Sequence, residues 1–318
     1  MNKLILLTTS ALVVFAARFP ALADTATITQ TNETNGVASQ HQAGAVDGVA
    51  LDDTATIVQA GGSGDVATQE QGRLNYVFPT FFDAEVLGTE TIVQTNNANA
   101  VAHQQQNANF DSQTITQTST GGTTALQTIN TPFGESNVQT SAQSTDSNSS
   151  VSQTIGVAPG NMATESLNRQ TATQNGQTNS SITQTVDGAS SSNSEIATQN
   201  AVGASNRQMA SIINGSNNYI EQFQGGGTVS DIETASVSTS SNDRALQYQA
   251  AGVAGGSETI TQSGGSANQA GQGQGNSNNV AVITQAGGSG NVAIQNQGLG
   301  LGNPGYMFVN GGGVLTHS

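Results

Sequence analysis

The sequence predicts an all-β protein, a β-solenoid of about eleven stacked strand–arc–strand units that form two parallel, in-register sheets lying face to face. Three observations predict it. Residue columns recur at fixed spacing along the chain, apolar and amide residues alternate with period two inside each unit, and stretches rich in Gly, Asn and Ser separate the alternating runs. Composition agrees. Of 318 residues, 34% are hydrophobic, 4% aromatic and 8% charged, too little apolar area for one thick core. Disorder and a prion-like polar chain are the other readings such a composition admits.

The N-terminus reads as a secretory signal peptide over residues 1–23. Lys3 supplies the positive end, residues 4–17 are mostly apolar, and Ala21-Leu22-Ala23 is a small-x-small cleavage signal before Asp24. Removing this segment takes Lys3 and Arg18 and no acid, which carries the formal charge from −15 to −17. The absence of Cys excludes a disulfide scaffold, a thiolate metal site and a Cys nucleophile. So acidic a chain has no basic footprint for nucleic acid. No second apolar run follows, so no stable membrane insertion is expected.

The repeat occupies residues 24–300. With Gln30, Gln59, Gln94, Gln117, Gln262 and Gln285 as reference points, an isoleucine stands two residues earlier each time, at Ile28, Ile57, Ile92, Ile115, Ile260 and Ile283. Eight residues later stand Ala38, Ala67, Ala102, Ala125, Ala270 and Ala293. Ten later come Gln40, Gln69, Gln104, Gln127, Gln272 and Gln295; twelve later come Gln42, Gln71, Gln106, Ile129, Gln274 and Gln297. Weaker copies fill the middle. Ala210, Ile212, Ile220, Gln222 and Gln224 keep the spacing, as do Met162, Thr164, Ala172 and Gln174. Val138 and Thr140 are paired with Val151, Gln153 and Ile155, and Ile232 and Thr234 with Ala245, Gln247 and Gln249, in a longer form. Ile182 and Gln184 lead to Ala197 and Gln199.

Alternation puts Ile28 and Gln30 on one side of a strand and Thr25, Thr27, Thr29 and Thr31 on the other. The stretches between strands, such as Gly61-Gly62-Ser63-Gly64-Asp65, supply the positive φ and side-chain turn bonds of a tight reversal. Inward Ile and Ala are expected to bury a thin apolar strip. Inward Gln at one column in successive coils is expected to form an amide ladder. These Ile, Ala and Gln columns are the candidate assembly core, and at the two rod ends they would template the next subunit. Acidic residues between units are expected to act as gatekeepers that delay assembly.

The repeat resembles the curlin family. Its motif reads Gln-x-Gly, a short arc, Asn-x-Ala, then Gln four residues on, and Gln285-Ala286-Gly287, Asn291-Val292-Ala293 and Gln297 fit it. Gln59-Ala60-Gly61, Asp65-Val66-Ala67 and Gln71 fit with Asp for Asn. The arc is one residue longer than usual and the units are more numerous. The resemblance implies a secreted, extracellular subunit of amyloid fibres at the surface of a Gram-negative cell, acting in biofilm matrix and adhesion. It implies three partners: further copies of the chain head to tail, a second curlin-like subunit, and an outer-membrane secretion pore.

Other features are weaker. Residues 73–88 interrupt the repeat, and Tyr76, Phe78, Phe81 and Phe82 there read as a docking patch or as a loop folded on the rod. Residues 301–318 form a Gly-rich tail or cap. Gly61 to Asp65 is a poor match to a calcium β-roll loop, and Asp47, Asp52 and Asp53 read as solvated charges. His41 and His103 fall outward with no recurring acid–base pair, so neither an enzyme nor a cofactor is expected. Outward Thr25-x-Thr27, Thr54-x-Thr56 and Thr89-x-Thr91 admit the rival of a soluble solenoid that binds ice or acts as an adhesin.

Overall fold

Period-two alternation of apolar or amide residues with Ser and Thr is realised as parallel strands. The burial of Thr54–Ala60 alternates strictly between buried and half-buried, and the same holds for Ser112–Thr118 and Ser150–Gly156. In this computed structural model the structure describes residues 25–42, 54–71, 88–156, 167–200, 202–298, 306–309 and 314–317. Among the described residues there is no helix.

In chain order the strands of the N-terminal half are β1 (Thr25–Thr31), β2 (Val37–Gln42), β3 (Thr54–Ala60), β4 (Val66–Gln71), β5 (Thr89–Thr95), β6 (Val101–Asn109), β7 (Ser112–Thr118), β8 (Thr124–Glu135), β9 (Val138–Ser144) and β10 (Ser150–Gly156). The middle holds β11 (Arg169–Asn175), β12 (Gln177–Thr178), β13 (Ser181–Asp187), β14 (Ser194–Gln199), β15 (Gly203–Ala204) and β16 (Arg207–Ile213). The C-terminal part holds β17 (Tyr219–Gln224), β18 (Ile232–Ser238), β19 (Arg244–Gln249), β20 (Ser257–Ser263), β21 (Gln269–Gln274), β22 (Val280–Ala286), β23 (Val292–Gln297), β24 (Tyr306–Val309) and β25 (Val314–His317).

The chain winds as a β-solenoid. An eleven-stranded sheet runs β1-β3-β5-β7-β9-β11-β14-β17-β19-β21-β23, and a ten-stranded sheet runs β2-β4-β6-β8-β10-β13-β16-β18-β20-β22. Every neighbouring pair in both is parallel and in register, as in Ile28↔Ile57 and Gln40↔Gln69. In the expected tail or cap, β24 and β25 form an antiparallel hairpin, and β24 lies against β23.

The arcs explain why Gly, Asn and Ser recur between strands. Most five-residue arcs take positive φ at their first and fourth residues, as at Asn32 and Asn35, Gly61 and Gly64, Asn214 and Asn217, and Gly287 and Gly290. Asn and Gly tolerate that conformation best. The third arc residues stack as bridges, Ser191↔Ser216↔Ser241↔Ser266↔Ser289 along one edge. In the N-terminal half the short arcs lead from the first sheet to the second. The returns vary in length: Phe110-Asp111 joins β6 to β7 and Ser136-Asn137 joins β8 to β9, whereas residues 43–53, 72–87 and 157–166 in the others lie outside the described residues, as do residues 1–24. That places Tyr76, Phe78, Phe81, Phe82, Asp47, Asp52, Asp53, Met162 and Thr164 outside the description, together with the expected signal peptide.

The sequence columns run straight only part of the way, which corrects the simple stacking of like motif positions. In the first four copies the Ile-x-Gln strand lies in the first sheet, at Ile28, Ile57, Ile92 and Ile115. Ile260 and Ile283 lie instead in the second sheet, and their partners Ala270 and Ala293 lie in the first. The repeat has moved by half a coil. Between the two phases the first sheet carries small central residues, Ser141, Ala172 and Ala197, while the second carries Val151 with Ile155 and Ile182 with Val186. Volume lost on one sheet is regained on the other, as a close-packed layer requires. The apolar strip accordingly passes from Ile57, Ile92 and Ile115 to Ile129, Ile155, Val186 and Ile212, then to Ile260 and Ile283.

Two of the weaker copies are corrected as well. Val138, Thr140, Ile232 and Thr234 face outward, and Ile232 is 40% exposed. The inward residues of those strands are Gln139, Ser141 and Gln143, and Glu233, Ala235 and Val237. In β9 amide stacking has overridden the rule that the more apolar face turns in, whereas in β18 Ala235 and Val237 turn in and carry Ile232 out.

Thr239 carries φ +49° at an arc position where its stacked neighbours are Asn214 and Gly264. A β-branched residue is strained there. Thr239→Asn is expected to raise the free energy of urea unfolding by about 1 kcal/mol.

Candidate assembly site

The inward columns build one continuous polar spine. In the first sheet an amide ladder runs Gln30, Gln59, Gln94, Gln117, Gln143, Gln174, Gln199, Gln224, Gln249, Gln274 and Gln297. Each Nε2 donates to the next Oε1, at 2.6 Å from Gln30 to Gln59, 2.8 Å from Gln94 to Gln117, and 3.3 Å from Gln274 to Gln297. The ladder crosses the half-coil exchange without a break, because both strand types end on an inward Gln. A second ladder runs through Gln40, Gln69, Gln104, Gln127, Gln153 and Gln184 at 2.7–2.9 Å. Shorter ones join Gln222, Gln247 and Gln272, and Gln262 with Gln285.

In many rungs the second N–H of the amide ties the sheets together. Gln40, Gln69 and Gln104 donate to the backbone carbonyls of Thr27, Thr56 and Thr91 at 3.1 Å, within their own coil. Gln59 and Gln94 donate to the carbonyls of Val37 and Val66 at 3.3 Å, in the coil before. Each strand of the second sheet therefore sits between two levels of the first, staggered by half a rung.

The candidate core residues Ile57, Ala67, Gln59, Gln69, Gln71, Ile92, Ala102, Gln94, Gln104, Gln106, Ile115, Ala125, Gln117, Gln127, Ile260, Ala270, Gln262, Gln272, Gln274, Ile283, Ala293 and Gln285 are buried. At the open ends Ile28, Gln30, Ala38, Gln40, Gln295 and Gln297 are half-buried, and Gln42 continues the register opposite Gln71. The structure brings all of these columns to one layer. His41 and His103 face outward, as expected.

Sequence reasoning missed a ladder in the arcs. Asn137 N–H donates to Asp111 Oδ1 at 2.6 Å, Asn168 to Asn137, Asn193 to Asn168, Asn218 to Asn193, Asp243 to Asn218, Asn268 to Asp243 at 2.7 Å, and Asn291 to Asn268. Asp65 serves similarly on the opposite edge, its Oδ1 accepting Ala100 N–H at 2.9 Å. Asp65 is buried, and its carboxylate is held by the next coil's backbone. The signal was present in the chain, in an Asn or Asp recurring just ahead of a strand.

Acids also enter the inward columns. Beside those between strands, Glu90, Glu195, Glu233 and Glu258 occupy inward strand positions and are fully buried. Gln170 Nε2 donates to Glu195 Oε2 and Gln208 Nε2 to Glu233 Oε2, both at 2.8 Å, so Glu takes a Gln place in the ladder. Glu233 and Glu258 are register partners in adjacent coils. Burial raises the Glu195 carboxyl to about 8 and Asp146 and Asp231 to about 6. Burial, then the neighbouring carboxyls, push Glu233 and Glu258 well above the usual carboxylate range.

No protein-family model and no curated protein matches this chain.

Two outcomes follow from the ladders and the acids. Gln199→Leu leaves Gln174 Nε2, Gln224 Oε1 and Ser181 O without their partner, and is expected to cost about 2–4 kcal/mol in chemical unfolding. Outward Thr198→Ala is expected to stay within about 0.5 kcal/mol. The buried carboxyls have folded values above their unfolded ones, so the folded rod retains protons that the unfolded chain gives up. Stability is full below about pH 4 and is lost as pH rises through about 6 to 8 and beyond. The melting temperature, followed by circular dichroism, is expected to fall from pH 5 to pH 9, and Glu233→Gln with Glu258→Gln is expected to flatten that fall.

Proposed function

We propose that this protein is a secreted structural subunit that assembles into extracellular, curli-like amyloid fibres of a biofilm matrix. The observation that carries the reading is the amide ladder through all eleven strands of the first sheet, which among the described residues begins at Gln30 in the first coil and ends at Gln297 in the last. An amide column that ends on an open parallel edge is a template for the same column in another chain. The motif of Gln285 to Gln297, which resembles the curlin repeat, supports the same reading, and so does the N-terminal segment that reads as a signal peptide. The work of the protein on this reading is addition of coils, with the inward Ile, Ala and Gln residues as its working surface. The partners expected with it are a second curlin-like subunit and an outer-membrane pore.

Purified residues 24–318 freed from denaturant are expected to bind thioflavin T after a lag that seeds abolish, and to give a meridional reflection at about 4.7–4.8 Å. Gln59→Ala or Gln285→Ala is expected to slow growth several-fold more than Thr54→Ala or Thr56→Ala. Equal slowing would remove the inward columns from the assembly surface.

One observation favours a second reading. Strand register lines up Thr27, Thr56, Thr91, Thr114, Thr140 and Thr171 in one unbroken outward column of the first sheet. A flat Thr array of that length on a soluble rod suits ice binding. A chain that stays monomeric and arrests ice growth, with the arrest lost in Thr91→Lys, would establish that reading in place of the first.

A further inference from the structure

The rod starts and finishes in the same sheet. β1 opens the eleven-stranded sheet and β23 closes it, while β22 closes the ten-stranded sheet. The sheets are staggered by half a rung, as shown by the alternating donation of Gln40 to Thr27 O and of Gln59 to Val37 O. At the last coil Gln285 donates to Gln269 O and Gln297 to Val280 O, which continues the same half-rung rise. Among the described residues no strand follows β23 in either sheet, so the next level of the rise belongs to the ten-stranded sheet, on top of β22. A second copy that placed its β1 on β23 and its β2 beyond β22 would skip a strand level in the shorter sheet. A second copy that places β1 on β22 and β2 on β23 skips none.

Side-chain order points the same way, independently. β1 presents Ala26, Ile28 and Gln30 inward, and β22 presents Ala281, Ile283 and Gln285. By register, Ala38, Gln40 and Gln42 of β2 meet Ala293, Gln295 and Gln297 of β23. Every position meets its like. In the other orientation Ile28 would meet Gln295 and Gln40 would meet Ile283, cutting two amide columns. The arcs agree. Asn32 and Asn35 carry the positive φ of the first arc, and Gly287 and Gly290 carry it in the last. Amide polarity agrees too, since every rung donates towards the C-terminal end and so presents N–H there to the oxygens of an incoming Gln30.

We infer that the C-terminal end of the rod is the docking surface for the N-terminal end of a second copy of this chain, turned by half a revolution about the rod axis. The two strands of the first coil then exchange sheets relative to the subunit beneath, and each fibre sheet alternates eleven and ten strands along its length. The hairpin of β24 and β25 lies against β23 and has to clear the open edge of that strand.

The inference rests on the self-assembly reading, and the absence of native Cys makes the two separable. Thr27, Val282 and Ile294 face outward and are exposed, so Cys at these places leaves the core intact. The half-turn stacks Thr27 of one copy on Val282 of the next, at the strand spacing of about 4.8 Å that a disulfide spans. The other orientation stacks Thr27 on Ile294. Fibres grown from equal amounts of full mature T27C and V282C chains are expected, on mild oxidation, to yield covalent dimers at least tenfold over fibres of T27C with I294C. Fibres that grow without the T27C–V282C link, whether or not T27C–I294C forms, overturn the half-turn and leave self-assembly standing. The absence of any polymer overturns both. A subunit repeat of two along the fibre axis in electron micrographs is the second expected readout, and a repeat of one overturns the inference.

Discussion

A primary amide that both donates to and accepts from its copies in the coils above and below is the interaction on which this rod depends. An apolar strip alone would tolerate sliding by two residues, because alternation is preserved. An amide column does not, since a slip leaves a buried donor and acceptor without partners, at about 1–3 kcal/mol each. Strand length, the half-rung stagger and the five-residue arcs all serve this condition. Each arc must bring the chain back so that the second N–H of Gln59 reaches Val37 O and that of Gln40 reaches Thr27 O. The arc ladder through Asn168, Asn193, Asn218 and Asp243 applies the same rule at the rim.

The half-coil exchange shows that the constraint belongs to positions and not to a repeated motif. The last inward place of the first sheet is Gln in all eleven strands. The middle place of the same sheet passes from Ile115 through Ser141 and Ala197 to Gln222. At the middle place the amide crosses over with the volume: the second-sheet ladder ends at Gln184 against Ala210, and a first-sheet ladder begins at Gln222. The last place of the first sheet is the one column that keeps its amide through the exchange.

The buried acids mark where this economy is strained. Glu has the shape of Gln and accepts as well, but an ionised Glu has no proton to hand on. Gln170 and Gln208 end their runs on Glu195 and Glu233, and the next rung above Glu195 is Ile220. Glu233 meets Glu258, where two ionised groups one rung apart would repel in a buried layer. Burial resolves the conflict by keeping those carboxyls protonated well above their usual range. The acids of this chain thus lie partly in the core, where their protonation is coupled to folding.

Strand positions, arc positions and the inward columns were legible because each has a local cause: period two for the strands, positive φ for Asn and Gly in the arcs. Sheet membership was not legible, since Ile-x-Gln and Ala-x-Gln-x-Gln strands look alike from either side of the rod and no local residue declares the side. Val138 and Ile232 misled for the opposite reason: their hydrophobicity pointed inward, while stacking of Gln139 on Gln113 turned Val138 out and the inward Ala235 and Val237 carried Ile232 out. The exchange of sides and the odd number of strands are then two faces of one fact. A rod that opens with its Ile strand in one sheet and closes with its Ile strand in the other cannot repeat itself by translation alone without breaking its own columns. On the proposed assembly, the turn that restores the columns is also the one that places β1 of the next copy on β22, the next level of the rise.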